Sequence, residues 1–241
     1  MSSILRALEH SPARSPNQTK QIISLLHQVS SAGNGLQIRF QEDFSRLREL
    51  TEENPDRDTL SPMFDPSYCE VSGKNAFWIE GLCPDGQIAH VQAVRYDDLE
   101  DRSLCQHWID NSFLFTPPGV DVDIRTTRFD AAPASRTIRG RTCYHGELWI
   151  RDDYRGLHLA SKLANLAMLL ANARFQPDYL YCLIPPKVVR TGLSVRNGYL
   201  HLHPHGIRWS LSETREVYDE YLVWMTSDEL DILMERHPMV C

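Results

Sequence analysis

None of the six cysteines (Cys69, Cys83, Cys105, Cys143, Cys182 and Cys241) stands in a Cys-x-x-Cys pair. That argues against a zinc ribbon or a dense disulfide framework and fits a reducing compartment, so a cytoplasmic location is expected. Basic runs are missing as well. The 241-residue chain has a formal net charge of −7, so a sequence-independent nucleic-acid footprint is not expected. Nowhere do about 18 apolar residues run together, so no membrane-spanning helix is expected. Met1 to Arg14 is polar and has no apolar core of a signal peptide. What the chain does have is 42% hydrophobic residues, enough for a full core in one domain or one domain with appendages.

The most informative stretch is 146–174. Glu147 to Arg151 reads as a strand, Arg155-Gly156 as a tight turn, and Leu159 to Arg174 as a helix. Leu159, Leu163, Leu166 and Leu170 recur at the spacing of one helical face, beside a flat stripe of Ala160, Ala164, Ala167 and Ala171. The turn brings Gly156 and the amides of Leu157 to Ser161 to a helix N-terminus. Unpaired N–H groups, the positive end of the dipole and the charge of Arg155 make that an anion site.

Around this stretch the chain divides in order. Residues 1–35 form an N-terminal helical arm, with a helix from Asn17 to about Ser31 ended by Gly33-Asn34-Gly35. The arm packs on the domain or on a partner subunit, which leaves a homodimer open. Leu36 to Phe40 alternates like a strand, and Asp43 to Glu53 forms a short helix. Ala76–Glu80 and Gln87–Tyr96 make a hairpin through Pro84-Asp85-Gly86. Residues 97–142 are a long insert with a helix within Ser103–Phe115, broken by Pro117-Pro118-Gly119. It reads either as a substrate-side lid or subunit contact, or as a solvated excursion with a small core under Trp108. Tyr179 to Ile184 is a continuous apolar run, as for a buried parallel strand, completing a right-handed βαβ unit. Lys187–Asn197 is expected to be a helix capped by Gly198. Leu200–Ser210 and Val217–Thr226 form a last antiparallel pair, and residues 227–241 a C-terminal helix and tail.

The run Arg155-Gly156-Leu157-His158-Leu159-Ala160, between a strand and an Ala/Leu helix, resembles the pyrophosphate-binding motif of the GNAT superfamily of acetyl-CoA-dependent N-acetyltransferases. That motif reads Arg/Gln-x-x-Gly-x-Gly/Ala; Arg155 and Ala160 match, and His158 stands in place of the middle glycine. Gly198-Tyr199 resembles the family's Gly-Phe pair. Recognisable residues extend over 146–199, and the element order over 36–226, the expected acyltransferase domain. The resemblance implies an α/β fold with a mixed, mostly antiparallel sheet, a central parallel βαβ pair and helices on both faces. It implies acetyl-CoA as co-substrate, held by Arg155, Gly156, Leu157, His158, Leu159, Ala160 and Ser161, with the pantetheine arm along Leu148, Trp149 and Ile150 between two splayed strands. The activity implied is acyl transfer to an amine of a small molecule or an amino terminus, by direct attack in a ternary complex.

That chemistry needs a base and an acid. Glu147, beside the expected thioester, is the candidate base; its bland alternative is a solvated carboxylate or one paired with an arginine such as Arg141. His145 is a second candidate, or a partly exposed strand residue. The family's acid is a tyrosine four residues before Gly-Phe, a position held here by Ser194. Tyr199, Tyr181 or a water on Ser194 could substitute. His158 and Ser194 also admit a non-catalytic acyl-CoA sensor of the same fold. His201, His203 and His205 alternate and invite a metal-binding or interaction module, yet Pro204 interrupts them and no carboxylate or cysteine spacing completes a set, so no metal is expected.

Overall fold

The structure, a computed structural model, describes residues 3, 4, 8, 16–214 and 216–235. The helix α1 (Pro16–Ala32) leads into β1 (Gln37–Gln41) and α2 (Phe44–Glu52), whose first turn is capped by the Asp43 carboxylate. The hairpin β2 (Ala76–Leu82) and β3 (Ile88–Asp98) follows, turning where Gly86 takes a left-handed φ of 85°. The insert carries α3 (Leu104–Asp110) and α4 (Ser112–Phe115). Then come β4 (Arg141–Ile150), α5 (Leu159–Phe175), β5 (Tyr179–Ile184), α6 (Pro186–Arg190), α7 (Leu193–Arg196), β6 (His201–Ser210), β7 (Val217–Thr226) and α8 (Ser227–Glu235).

Among the described residues seven strands form one sheet in the order β1-β2-β3-β4-β5-β7-β6. Every neighbouring pair is antiparallel except β4 and β5, which α5 joins as a parallel pair. This is the mixed sheet expected from the sequence. Its two faces carry separate cores. On one, α5 and α1 cover Phe77, Ile79, Val94, Leu180 and Val223. Gln18 of α1 donates to the Leu169 carbonyl of α5 at 3.3 Å, and Ile22 and Val29 are fully buried there. The helix of the expected N-terminal arm therefore packs on its own domain. On the other face, α2 and the insert cover Trp78, Val91, Tyr181, Leu183 and Trp209. The insert is no solvated excursion: Leu99, Leu104, Trp108, Leu114 and Ile138 are buried in this second core. Its far end is laddered to β6, Asp123 donating to the Ser210 carbonyl at 2.8 Å and Arg128 exchanging bonds with Arg208 at 3.0 and 2.9 Å.

Several boundaries differ from the sequence reading. β4 starts at Arg141, six residues earlier than expected, and takes the end of the insert into the sheet. The helix expected over Lys187–Asn197 is two short pieces, because Gly192 turns left-handed (φ 70°) between them. Pro204 does not end its strand. β6 runs through it on the sheet edge, and a register slip between His203 and Ile207, with His205 at φ 59°, absorbs the missing N–H. The terminal tail from residue 236 lies outside the described residues.

Candidate active site

β4 and β5 pair only at Thr142–Tyr179, Cys143–Leu180 and Tyr144–Tyr181. Past Tyr144 the two strands part. His145–Ile150 stays with β3, and Cys182–Ile184 stays with β7, so neither half has a strand across the gap. A cavity of about 470 Å³ occupies the fork. Gly146 sits at its apex, where a Cβ would come within 2.7 Å of the Tyr144 ring and 3.0 Å of Phe64. Just beyond, β4 bulges: Gly146 opposes Ala93 and Trp149 opposes Val91, so Glu147 and Leu148 together face Gln92. Glu147 takes a left-handed φ of 58° in this bulge.

The bulge delivers the Glu147 carboxylate to Arg57 (3.1 Å), with the Ser61 amide (3.1 Å) and hydroxyl (2.6 Å) also donating to it. Both charges are sealed, the side chains being 8% and 2% exposed, and burial lowers the Arg57 pKa. Glu147 is thus a paired carboxylate, and its partner is Arg57. Arg141 is engaged elsewhere, with Asp178 at 2.8 Å. Of the residues expected along the pantetheine arm, Leu148 and Trp149 line the cavity. Ile150 packs into the α5-side core, and its carbonyl accepts from Arg155 Nε at 3.0 Å.

The expected anion loop lies between the open end of β4 and α5. Arg155 is exposed and pairs with Asp152 at 2.7 Å. Gly156 (φ 83°) and His158 (φ 55°) are both left-handed, and His158 is the N-cap of α5. His158 therefore holds a left-handed backbone conformation that favours glycine, with its side chain in solvent. Leu159 is core, Leu157 is half-buried against that core, and Ala160 and Ser161 are half-buried in the first turn. These loop residues offer backbone donors; their side chains do not form the cavity wall.

Ser194 and Tyr199 do line the cavity. Ser194 Oγ and, beside it, Asn197 Oδ1 are sealed from solvent without a hydrogen-bond partner. The Tyr199 hydroxyl lies 3.2 Å from His145 Nδ1, and His145 Nε2 lies 3.0 Å from Gln92 Oε1. Gln92 Nε2 donates to the Leu163 carbonyl at 2.8 Å, so its oxygen faces the histidine. Nε2 of His145 must then carry the ring proton, and Nδ1 accepts from Tyr199. Burial pushes the His145 pKa down to about 4 and the Tyr199 phenol well up. His145 is accordingly a buried neutral ring, not a partly exposed strand residue. Tyr181, the other expected acid, is buried beneath the insert against Trp108, with ring centroids 6.2 Å apart.

Arg57 and Glu220 are among the cavity residues that the sequence reading did not single out. Glu220 of β7 is buried, and it accepts from Trp209 Nε1 at 2.7 Å. Burial raises its pKa to about 7, against the opposing pull of the indole N–H. The signal was present: Glu220 falls in phase with the buried Leu222 of its strand, where a carboxylate has no solvent. The alternating histidines, by contrast, disperse. His201 stacks on Trp224 at 3.9 Å and meets Glu229 at 2.7 Å, while His205 meets Asp219 at 3.1 Å. Among the described residues no group of three or more potential metal ligands is gathered, and no described helix is long and apolar enough to cross a membrane.

No protein-family model and no curated protein matches the sequence. Solved structures similar to the chain include NAA60 of Arabidopsis thaliana in complex with acetyl-CoA. It is 13% identical, with 79% of this chain and 99% of that one covered and a TM-score of 0.47. A variant of the spermidine N-acetyltransferase SpeG of Vibrio cholerae is 8% identical, covering 80% of this chain and 95% of its own, with a TM-score of 0.46.

Proposed function

We propose that the protein is a GNAT-type acyltransferase that uses acetyl-CoA to acylate a primary amine of a small molecule or an amino terminus. The observation that carries this reading is the fork between β4 and β5, which holds a buried carboxylate titrating near neutrality. The site suits the coenzyme on three counts. One flank of β4 has no strand neighbour, the first turn of α5 presents amides beyond the Arg155-Gly156 turn, and Ser194 and Asn197 hold buried polar atoms in want of a partner. Bound acetyl-CoA would supply the activated acyl group.

The protein's own residues then divide the work. Glu220, with a pKa of about 7, accepts the proton of the incoming ammonium. It takes the role expected of Glu147, because Glu147 is ion-paired with Arg57 and accepts twice from Ser61. Main-chain N–H groups on the flank of β4 that has no strand neighbour are the donors available to charge developing in the fork. Tyr199 is the proton donor to the departing sulfur; its hydroxyl rests on neutral His145, and that bond breaks as the proton moves to the sulfur. A buried carboxylate kept near pH 7 on the cavity wall favours turnover over the sensor role, which has no use for a base. The test is twofold: saturating acetyl-CoA raises the melting temperature, and the protein releases CoA in the presence of a broad panel of amines. A ligand at a hundred times its Kd adds about 2.7 kcal/mol. No melting shift together with no thiol release would end this reading.

A further inference from the structure

Which groups meet the amine follows from where α5 lies. α5 and α1 cover one face of the sheet, and Tyr199, Cys182 and Ile184 belong to the core on that side. An acyl donor anchored at the α5 N-terminus occupies that side of the fork, so the acceptor approaches from the opposite face. There the wall includes Tyr144 and Tyr218 from the sheet, Pro117, Pro118 and Val120 from the insert, and the polar segment Arg57, Asp58, Thr59 and Ser61. Glu220 lies deeper on the same face, on the strand that carries Tyr218, and its charge acts on the Tyr144 and Tyr218 phenols. Arg57 on this wall is already neutralised by Glu147, and Asp58 stands exposed.

We infer that the insert, through Pro117, Pro118 and Val120, is the acceptor-selecting wall of this site, and that the acceptor is a primary amine with an uncharged, apolar body. The inference rests on the transferase reading above. An ammonium entering the fork meets the Glu220 carboxylate. A second charge on the same molecule would be stripped of water against proline, valine and tyrosine rings, and the carboxylate nearest them, Asp58, is exposed and solvated at the rim. The wall is also preformed. Leu104 donates to the Ile138 carbonyl at 2.9 Å at the base of the insert, the β6 ladder holds its far end, and Trp108 and Phe115 anchor its middle in the core. Selection by a rigid apolar wall costs no ordering on binding.

The test measures pH-independent kcat/KM for straight-chain primary amines of increasing length, for the diamine of the longest length, and for the amino acid with a terminal carboxylate of that length. Each methylene buried against the wall is expected to raise kcat/KM by roughly fourfold until the cavity is full. The diamine and the amino acid are expected to fall at least about tenfold below the plain amine. Val120→Asp is expected to shrink the gap between amine and diamine while the KM for acetyl-CoA stays unchanged. If that variant fails to fold, the wild-type series still decides. Acyl transfer that is flat with chain length, or that prefers the diamine through Asp58, overturns the inference and leaves the transferase reading standing. No acyl transfer to any amine overturns both.

Discussion

Glu220→Gln separates the cost of a buried base from its use. The carboxylate rises from the ordinary 4.5 to about 7 because burial strips its charged form of water. The folded state therefore keeps its proton to a higher pH than the unfolded chain does. The stability this contributes is complete below pH 4.5 and is lost as pH climbs through 7. At about 1.4 kcal/mol for each pH unit of displacement, the loss above pH 8 is on the order of 3 kcal/mol. Glutamine keeps an oxygen for the Trp209 indole and never ionises. The variant is thus expected to melt close to wild type at pH 4.5 and roughly 6–12 °C higher at pH 8.5. Comparing the two proteins at each pH cancels every other titrating group. The same variant should lose about two orders of magnitude or more in turnover at pH 8. Wild-type activity should rise with unit slope below pH 7. A melting difference that does not grow from pH 4.5 to 8.5 would refute the burial argument. Full activity in Glu220→Gln would remove it as the base.

Three further outcomes follow from neighbouring groups. Glu147→Leu leaves the Arg57 guanidinium buried and unpaired, and urea unfolding should show a loss of about 3–5 kcal/mol; adding Arg57→Met should restore most of it. His145, lowered to about 4 from the ordinary 6.5, holds stability that is present above pH 6.5 and lost as pH falls toward 4, on the order of 3 kcal/mol. His145→Leu, whatever its baseline cost, should flatten the acid limb of a stability-versus-pH curve by that amount. His158→Gly relieves a left-handed side chain at the start of α5 and should raise the urea midpoint by the equivalent of up to about 1 kcal/mol. An unchanged or lowered midpoint would mean that the His158 side chain contributes contacts of its own.

The fold was legible wherever one element declares itself alone. The Ala/Leu periodicity of α5, the Pro-Asp-Gly turn between β2 and β3, and the unbroken apolar run of β5 each carry their own signal. The site was legible only where it coincides with such elements. Glu147, Leu148, Trp149, Ser194 and Tyr199 meet at the cavity because the fork brings β4 to the segment after β5. Glu147's role depended on Arg57, ninety residues away in a loop with no periodicity, and no local pattern joins the two. Glu220 was overlooked because it sits in a strand read only for its hydrophobic phase. Its chemistry comes from burial beside Trp209 in a cavity wall shared with the insert, neither of which the strand itself announces. The insert itself looked irregular because its order comes from long-range burial of Trp108 and from bonds to β6, neither of which has a local signature.

The bonds between the insert and β6 have a consequence for how the molecule lives among its copies. β6 is the last strand of the sheet, and a terminal strand offers its spare amides and carbonyls to any passing chain. Here Arg128 takes both those of Arg208, Asp123 takes the Ser210 carbonyl and the Thr127 hydroxyl its amide, and the slip around Pro204 twists the remainder out of line. The segment that walls the cavity thus also closes a margin along which the sheet could otherwise grow into a neighbour. Acceptor choice and resistance to self-association are written into one stretch of chain, and a change made to widen the first would be felt by the second.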